Sequence, residues 1–396
     1  MELKQTDAIL LKLLYAVAAG IVITQALGLD NVTSILFLLT FPLTVVLWGR
    51  SIRRKLDSTD MLVLLTAVLA VVSVLLNALI TETTISFNYI KKLIIFIMSL
   101  LFLSMANRMR VERSFIRYVN AIVDSLTVFL IAMYFIAGPR MYMINGWVTK
   151  YLTFGFSNPN LTGLFLVCLY MLTVYRLFSR EKVAIKLIHI AMAAFLAWFV
   201  LETRSRNCLL IMMLYTAICA WLIFRGRKKM RIGKGMSVTI AVFPAIFVLL
   251  YMALISAEWV KKVFSILIEE GKLLDSRTVV WTKAMEFVVR SPILGAYSEL
   301  SDGTGMFQMH NSHLDVMASY GIPAMFLVCV LLQKCLHQKG RVYQEKHAYL
   351  YILGFACAIM LGIGEAALFS GGMGIYIFVG AFLLLTDSVE TQSVRG

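Results

Sequence analysis

Two histidines lie close together late in the sequence, in the stretch GMFQMHNSHLDVMASYG at 305–321. His310 and His313 stand where a polar segment passes into an apolar run, with Asn311 between them. An imidazole exchanges a proton near neutral pH, so His310 is a candidate general base. The plain alternatives are a structural histidine at a water interface for His310, and packing or hydrogen bonding at the start of a helix for His313.

Arginines in two earlier segments provide chemistry for binding an anion. Arg204 and Arg206 lie in LETRSRN at 201–207, and Arg277 lies four residues before Trp281, on the same face of a predicted helix. A guanidinium remains charged and donates paired hydrogen bonds, which suits a diphosphate. The alternatives are interfacial arginines that bind lipid phosphate or a neighbouring carboxylate, and an ordinary exposed residue at 277.

A metal site is a further interpretation of the histidine segment. His310, His313, Asp302 and Asp315 offer nitrogen and oxygen ligands, but two histidines with scattered acids are a weak signal. The six cysteines lie singly in or beside apolar runs and form no Cys-x-x-Cys pair. We therefore predict neither a metal nor another cofactor.

The elements that must position these residues are predicted to be membrane-spanning helices. The chain has 396 residues, 60% of them hydrophobic and 15% charged. Its apolar runs of about 20 residues are each long enough to cross ~30 Å of hydrocarbon. This pattern predicts an all-α polytopic membrane protein, one integral domain over 1–396, with about twelve spans at 8–28, 33–49, 60–80, 89–106, 117–138, 158–178, 184–201, 207–224, 236–256, 314–334, 346–363 and 370–386.

The basic residues predict the orientation of these spans. With the N-terminus in the cytoplasm, 25 of the 37 lysines and arginines fall on the cytoplasmic side, and both termini lie there. The net charge of +15 then faces anionic headgroups, and no nucleic-acid partner is predicted. The first run is too long for a cleavable signal peptide.

The longest external loop, 257–313, is predicted to carry part of the active site. An amphipathic segment at 256–272 predicts an interfacial helix. A second helix is predicted over 275–292, with Asp275 or Ser276 as its cap and Pro292 beyond its end. Arg140 lies in another external segment, 139–157.

Four motifs, in order, resemble the O-antigen polymerase and ligase family, which contains Wzy-type polysaccharide polymerases and O-antigen ligases. They are GFSNPNLTG (155–163), TRSRNCLL (203–210), SRTVVWTKAMEFVVRSPILGAYS (276–298) and HNSHLDVMASYGIPA (310–324). The resemblance covers about residues 150–330, and the first 140 residues match only as a stack of helices. The sequence departs from the family pattern at His313, usually an aromatic, at Arg204, an additional cation, and at Pro323 after Gly321.

The resemblance implies a metal-independent, inverting glycosyl transfer on the outer face of the bacterial inner membrane. The donor would be a glycan on undecaprenyl diphosphate, and the acceptor a sugar hydroxyl of another lipid-linked glycan. Catalysis would rest on His310 as the base and on Arg277 and Arg206 as ligands of the diphosphate. The residues expected to contact substrate are Arg204, Asn311, Trp281, Arg140 and His313.

Among family members of this size, a polymerase of repeat units is favoured over a ligase that moves the glycan to another acceptor. The product would be a surface polysaccharide such as O-antigen, capsule or exopolysaccharide. The implied partners are the lipid-linked donor and acceptor, membrane lipids, a chain-length regulator and a flippase.

Two other function classes stay open. A transporter or flippase of lipid-linked glycan would use Glu365, the charge in the last external turn, but the sequence shows no repeated halves. A non-catalytic scaffold would leave the arginines and the histidine without a role.

Overall fold

The computed structural model of the protein describes residues 5–52, 56–82, 84–85, 87–138, 140–144, 147–156, 158–178, 182–224, 229–230, 232–256, 275–296, 309–340, 344–365, 368–369 and 374–386. The helices in these residues are α1 Gln5–Ala26, α2 Asp30–Ile52, α3 Ser58–Ile80, α4 Phe87–Arg108, α5 Arg113–Ala137, α6 Pro159–Val174, α7 Val183–Glu202, α8 Arg206–Phe224, α9 Lys234–Ser256, α10 Asp275–Arg290, α11 Ser312–Gly340, α12 Lys346–Leu361 and α13 Ile375–Thr386. A 3₁₀ turn, Tyr175–Phe178, follows α6.

Most of these helices are apolar and long. In the described part of the chain, nine helices are long and apolar enough to cross a membrane, and three shorter apolar helices lie at Arg206–Leu222, Ala348–Leu361 and Ile375–Thr386. Their outward side chains are apolar too, including Leu38, Leu79 and Leu250, as a lipid environment requires. The prediction of a multi-pass helical membrane protein is confirmed. Twelve crossings and a cytoplasmic N-terminus stay predictions, because three of the helices are short.

The sequence predicts only helices, but the structure also contains two short antiparallel strand pairs. Strands β1 (Arg140–Ile144) and β2 (Trp147–Tyr151) form a hairpin in which Arg140 is opposite Tyr151. Strands β3 (Lys229–Met230) and β4 (Gln344–Glu345) join two connections elsewhere. Segments this short carry too little alternation to be distinguished from loops by sequence.

Hydrogen bonds group the connections into two ends of the bundle. At one end, the Ile232 amide donates to Gly340 O (2.8 Å) and Arg108 Nη1 donates to Ser51 O (3.0 Å). At the other end, residues 361–365, where α12 ends, contact His310 and Ser312 at the start of α11 and Asn207 at the start of α8. We call this second group the His310 end.

The Asn-Pro-Asn motif forms the start of α6. Asn158 caps the helix by accepting a hydrogen bond from the Asn160 amide at 2.8 Å, and Pro159 occupies the first helical position, where its missing N–H costs nothing. This motif therefore has a local structural role.

The predicted loop helix over 275–292 is confirmed as α10, which ends at Arg290, before Pro292. The predicted interfacial helix at 256–272 lies almost wholly outside the described residues. Helix α11 is interrupted at Gly321, whose φ of 88° and ψ of 168° are not helical. Pro323, one of the departures from the family pattern, follows that kink.

Candidate active site

His310 lies just before α11 with its backbone in the left-handed region, at φ 47°. A non-glycine residue there is strained, and such strain persists only where the surroundings impose it. Trp281 of α10 supplies one constraint, since its Nε1 donates to the carbonyl of Met309 at 2.8 Å. The backbone conformation of His310 and the contact of α10 with Met309 therefore define where the imidazole is attached.

A buried carboxylate holds the His310 ring. Nδ1 of His310 lies 3.3 Å from Oε2 of Glu365, and Glu365 is fully buried whereas the histidine side chain is 28% exposed. Because the Glu365 carboxylate can only accept a hydrogen bond, Nδ1 must donate, so the proton of a neutral imidazole is placed on Nδ1. Nε2 then keeps its lone pair, as a general base requires. The sequence gives no sign of this pair, since the two residues are 55 positions apart, and it associates Glu365 with transport instead.

Asn311 caps α11. Its Oδ1 accepts from the amides of His313 (3.0 Å) and Leu314 (2.9 Å), and its Nδ2 donates to the carbonyls of Pro244 (3.0 Å) and Ile363 (3.1 Å). Both amide hydrogens and the oxygen of this fully buried residue are thus used. A contact between Asn311 and substrate stays a prediction; the structure shows a helix cap.

His313 is also fully buried. Its Nε2 donates to the carbonyl of Ala241 at 2.8 Å, three residues before Pro244 in α9. Pro244 removes the helical hydrogen bond to the carbonyl four residues earlier, that of Ile240, and the Ala241 carbonyl lies next to this break. The geometry matches the structural alternative for His313, and its predicted contact with substrate stays a prediction.

The turn at 361–365, which we call the junction turn, brings the two functional segments together. Asn207, the residue after Arg206, donates from Nδ2 to the carbonyl of Leu361 at 2.8 Å. The Ser312 amide donates to Gly362 O at 2.8 Å, and the Ser312 hydroxyl donates to Glu365 O at 2.8 Å. One turn therefore contacts both the start of α8 and the start of α11, so Arg206 and His310 lie at neighbouring positions of the same end.

The segment 203–207 has the properties of an anion site. Arg206 is the first residue of α8 and is exposed, and no hydrogen bond or ion pair holds its guanidinium in the described part of the chain. Backbone amides at a helix N-terminus favour an anion and disfavour a cation. A bound anion would offset the unfavourable position of Arg206 and pair with its guanidinium. Ser205, only 3% exposed, has no hydrogen-bond partner for its hydroxyl among the described residues. The sequence does not single out Ser205.

Arg204 differs from Arg206. Its backbone is left-handed, at φ 54°, and its exposed guanidinium lies 5.5 Å from the ring centroid of Tyr151, the last residue of β2. This cation–π contact turns Arg204 toward the hairpin. The cross-strand partner of Tyr151 is Arg140, so the hairpin brings the Arg140 backbone to the same region.

Of the remaining predicted residues, Trp281 has a described side chain, whereas Arg277 and Arg140 are described only by their backbone. Trp281 is 2% exposed and packs edge-on against Tyr251 at 5.0 Å, so it is a buried anchor of α10, and its contact with substrate stays a prediction. Arg277 lies in the first turn of α10. The side chains of Arg277 and Arg140 lie outside the described part of the structure.

Two residues of the metal alternative, Asp315 and His313, bind other partners. Asp315 binds Lys92 at 2.7 Å, and His313 binds Ala241, while Asp302 is outside the described residues. No group of three His, Cys, Asp or Glu side chains that could hold an ion occurs in the described ranges.

Comparison with known proteins agrees with the motif order. Residues 190–329 match the family model described as Wzy_C, O-antigen ligase. The match runs from α7 through the kink of α11 and includes Arg206, Arg277 and His310, and it confirms the predicted resemblance. None of the curated proteins matches the chain.

Proposed function

Starting from a multi-pass membrane protein of the O-antigen ligase and polymerase type, we propose that this chain is a glycosyltransferase that polymerises undecaprenyl-diphosphate-linked repeat units. The reaction takes place on the outer face of the bacterial inner membrane and builds surface polysaccharide. The observation that carries the proposal is the His310–Glu365 pair, joined through the junction turn to the segment of Arg206.

His310 acts as the general base in this proposal. Its Nε2 takes the proton of the acceptor hydroxyl as the oxygen bonds to the anomeric carbon of the donor. The bond between that carbon and the diphosphate oxygen breaks, and the diphosphate leaves with the electron pair. Because the hydroxyl attacks from the face opposite the diphosphate, the configuration of the carbon is inverted. Glu365 keeps Nδ1 protonated and stabilises the imidazolium, as the carboxylate does in a catalytic triad. A positioned base contributes ~10²–10⁴-fold to the rate.

The diphosphate binds at the N-terminus of α8. Arg206 and the helix amides hold its charge, Ser205 donates its hydroxyl, and Arg277 completes the site from α10. These groups neutralise the leaving group with side chains and backbone alone, which makes the proposed reaction independent of metal. Arg204, which contacts Tyr151 of the hairpin, and Arg140, the first residue of β1, are assigned to the glycan.

The test is reconstitution of the protein in liposomes with lipid-linked repeat units, with and without a chelator. We expect a ladder of polymer that the chelator leaves unchanged. No ladder from folded protein would contradict polymerase activity, and a loss of ladder that a divalent cation restores would contradict the metal-independent mechanism.

An O-antigen ligase is the second candidate, because the matching family model carries that description. The same liposomes distinguish the two when a lipid-core acceptor is added. A polymerase extends the lipid-linked repeat units into a ladder, whereas a ligase moves one glycan to the core lipid and leaves the repeat units unextended.

A further inference from the structure

Three polar side chains from outside the family-matched region, two of them buried and one partly buried, contact the active-site segments. Ser73 and Asn77 belong to α3 and Lys92 belongs to α4, whereas the match covers 190–329. Polar groups inside membrane helices cost free energy, so their presence points to a function. We call these three residues the polar clamp.

The α3 part of the clamp holds the backbone just after α10. Asn77 Nδ2 donates to the carbonyl of Leu294 at 3.1 Å, and the Ser73 hydroxyl donates to the same oxygen. Ser73 is 1% exposed and Asn77 is 7% exposed. One carbonyl oxygen therefore anchors the end of α10, the helix of Arg277, to α3.

That anchored segment is docked on the kink of α11. The Ala296 amide donates to Ala318 O, and the Ile322 amide donates to Pro292 O, both at 2.8 Å. The approach is close enough to need glycine on both sides. A Cβ on Gly295, at φ 68°, would lie 2.7 Å from the backbone of α11, and a Cβ on Gly321, at φ 88°, would overlap the carbonyl of Ile293.

The α4 part of the clamp holds the first turns of α11. Lys92 Nζ lies 2.7 Å from Asp315 Oδ1 and 3.2 Å from Ser319 Oγ. Asp315 is 2% exposed, and its amide donates to the carbonyl of Asn311 at 2.9 Å. Asn311 is the residue directly after His310. A buried ion pair is a weak source of stability because desolvation offsets the attraction. The contact between Lys92 and Asp315 instead holds the first turn of α11 against α4.

We propose that the polar clamp sets the distance and angle between the helix of Arg277 and the turn of His310, and that Ser73, Asn77 and Lys92 are positioning residues for glycosyl transfer. Asn77 and Ser73 act on the end of α10, and Lys92 acts on the start of α11. The activity part of this proposal rests on the proposed function, whereas its structural part does not.

The structural part is tested by hydrogen exchange of the Ala296 and Ile322 amides in Asn77→Leu. This change keeps the branched shape of the side chain but removes the donor to Leu294. The matched control is Thr66→Val, because Thr66 is also buried in α3 but its hydroxyl, among the described residues, bonds only Leu62 O of its own helix, at 2.7 Å. We expect at least ~10-fold faster exchange in Asn77→Leu, the effect of losing a buried hydrogen bond, and no change in the control. Equal exchange in the wild type and Asn77→Leu would overturn the proposal.

The catalytic part is tested by steady-state kinetics of the same variants. Because a misplaced group lowers the rate of the chemical step, we expect Asn77→Leu and Lys92→Met to lower kcat at least ~10-fold with KM within ~3-fold of wild type. Thr66→Val is expected to keep both constants. Ser73→Ala repeats the test with a smaller change, and Ser73→Thr, which keeps the hydroxyl, is expected to restore the rate.

The outcomes separate this proposal from the proposed function. If His310→Ala abolishes transfer while Asn77→Leu and Ser73→Ala keep the wild-type kcat, the clamp is wrong and the proposed function stands. If exchange accelerates as expected but the wild type transfers no glycan, the proposed function fails and the clamp remains as a structural feature.

Discussion

At the scale of single residues, His310 is held on two sides. Trp281 fixes the carbonyl before it, and the buried Glu365 carboxylate accepts from Nδ1 at 3.3 Å. A carboxylate in this position orients a histidine and stabilises its protonated form. Glu365 is therefore as direct a test of the mechanism as the histidine itself.

Glu365→Gln keeps the size of the side chain and removes its charge. We expect kcat for glycosyl transfer to fall ~10²-fold or more with a small change in KM, because the imidazolium loses its counter-charge while the binding groups stay. The measurement is the initial rate of bond formation at saturating donor. A wild-type kcat in this variant would show that Glu365 serves only to pack the turn.

Arg206→Lys tests whether the α8 site binds a diphosphate through a paired contact. Lysine keeps the charge but lacks the planar fork, so we expect a ~10-fold loss of kcat/KM, and a larger loss in Arg206→Ala. Arg113→Lys is the matched control, because Arg113 is the first, exposed residue of α5 at the opposite end. Equal effects of the two lysine variants would contradict a specific role for Arg206.

Sequence alone identifies part of this site. Arg206 and His310 stand out because a cation and an imidazole occur at helix starts outside the usual basic loops. Sequence associates Glu365 with transport and does not single out Ser205, because the role of Glu365 depends on a partner 55 positions away and that of Ser205 on a hydroxyl without a partner among the described residues. The sequence separates His313 from His310 by its place at the start of a helix, but only the structure shows that His313 and Asn311 are fully buried and hydrogen-bonded to α9.

At the scale of elements, the junction turn connects α8 to α11. A Cβ on Gly364 would lie 2.8 Å from the Asn207 side chain, so a larger residue there forces Asn207 or the turn to move. We expect Gly364→Ala to push α8 from the turn and to lower kcat/KM at least ~10-fold in folded protein.

Gly235→Ala is the control for that change, since nothing lies within 4 Å of its Cβ position in α9. Thermal unfolding of both variants checks the fold. An unchanged kcat/KM in Gly364→Ala would mean that the separation of α8 and α11 is not critical for transfer.

Element boundaries follow from hydrophobicity and capping and are largely predictable. The predicted runs correspond to the observed apolar helices, and Pro292 marks the end of α10 as expected. The docking of residues 292–296 on the kink of α11 depends on contacts between distant segments. Gly295 and Gly321 are visible in sequence, but their mutual approach is not.

At the scale of the whole molecule, the proposed reaction requires the His310 end to face the outside. The six native cysteines are all buried, so introduced cysteines can be labelled over a low background. We expect a membrane-impermeant maleimide added to intact spheroplasts to label Arg204→Cys and not Arg113→Cys, because basic loops favour the cytoplasm. Both must label after lysis. Labelling of Arg113→Cys alone in intact cells would reverse the orientation and remove the proposed substrate.

The most direct test of the central claim is the rate of glycosidic bond formation by His310→Ala in liposomes that contain lipid-linked repeat units. His337→Ala is the matched control, because His337 is a partly buried histidine near the other end of α11. We predict a ~10²–10⁴-fold lower rate in His310→Ala and a wild-type rate in His337→Ala. Polymer formed at the wild-type rate by folded His310→Ala would contradict the account.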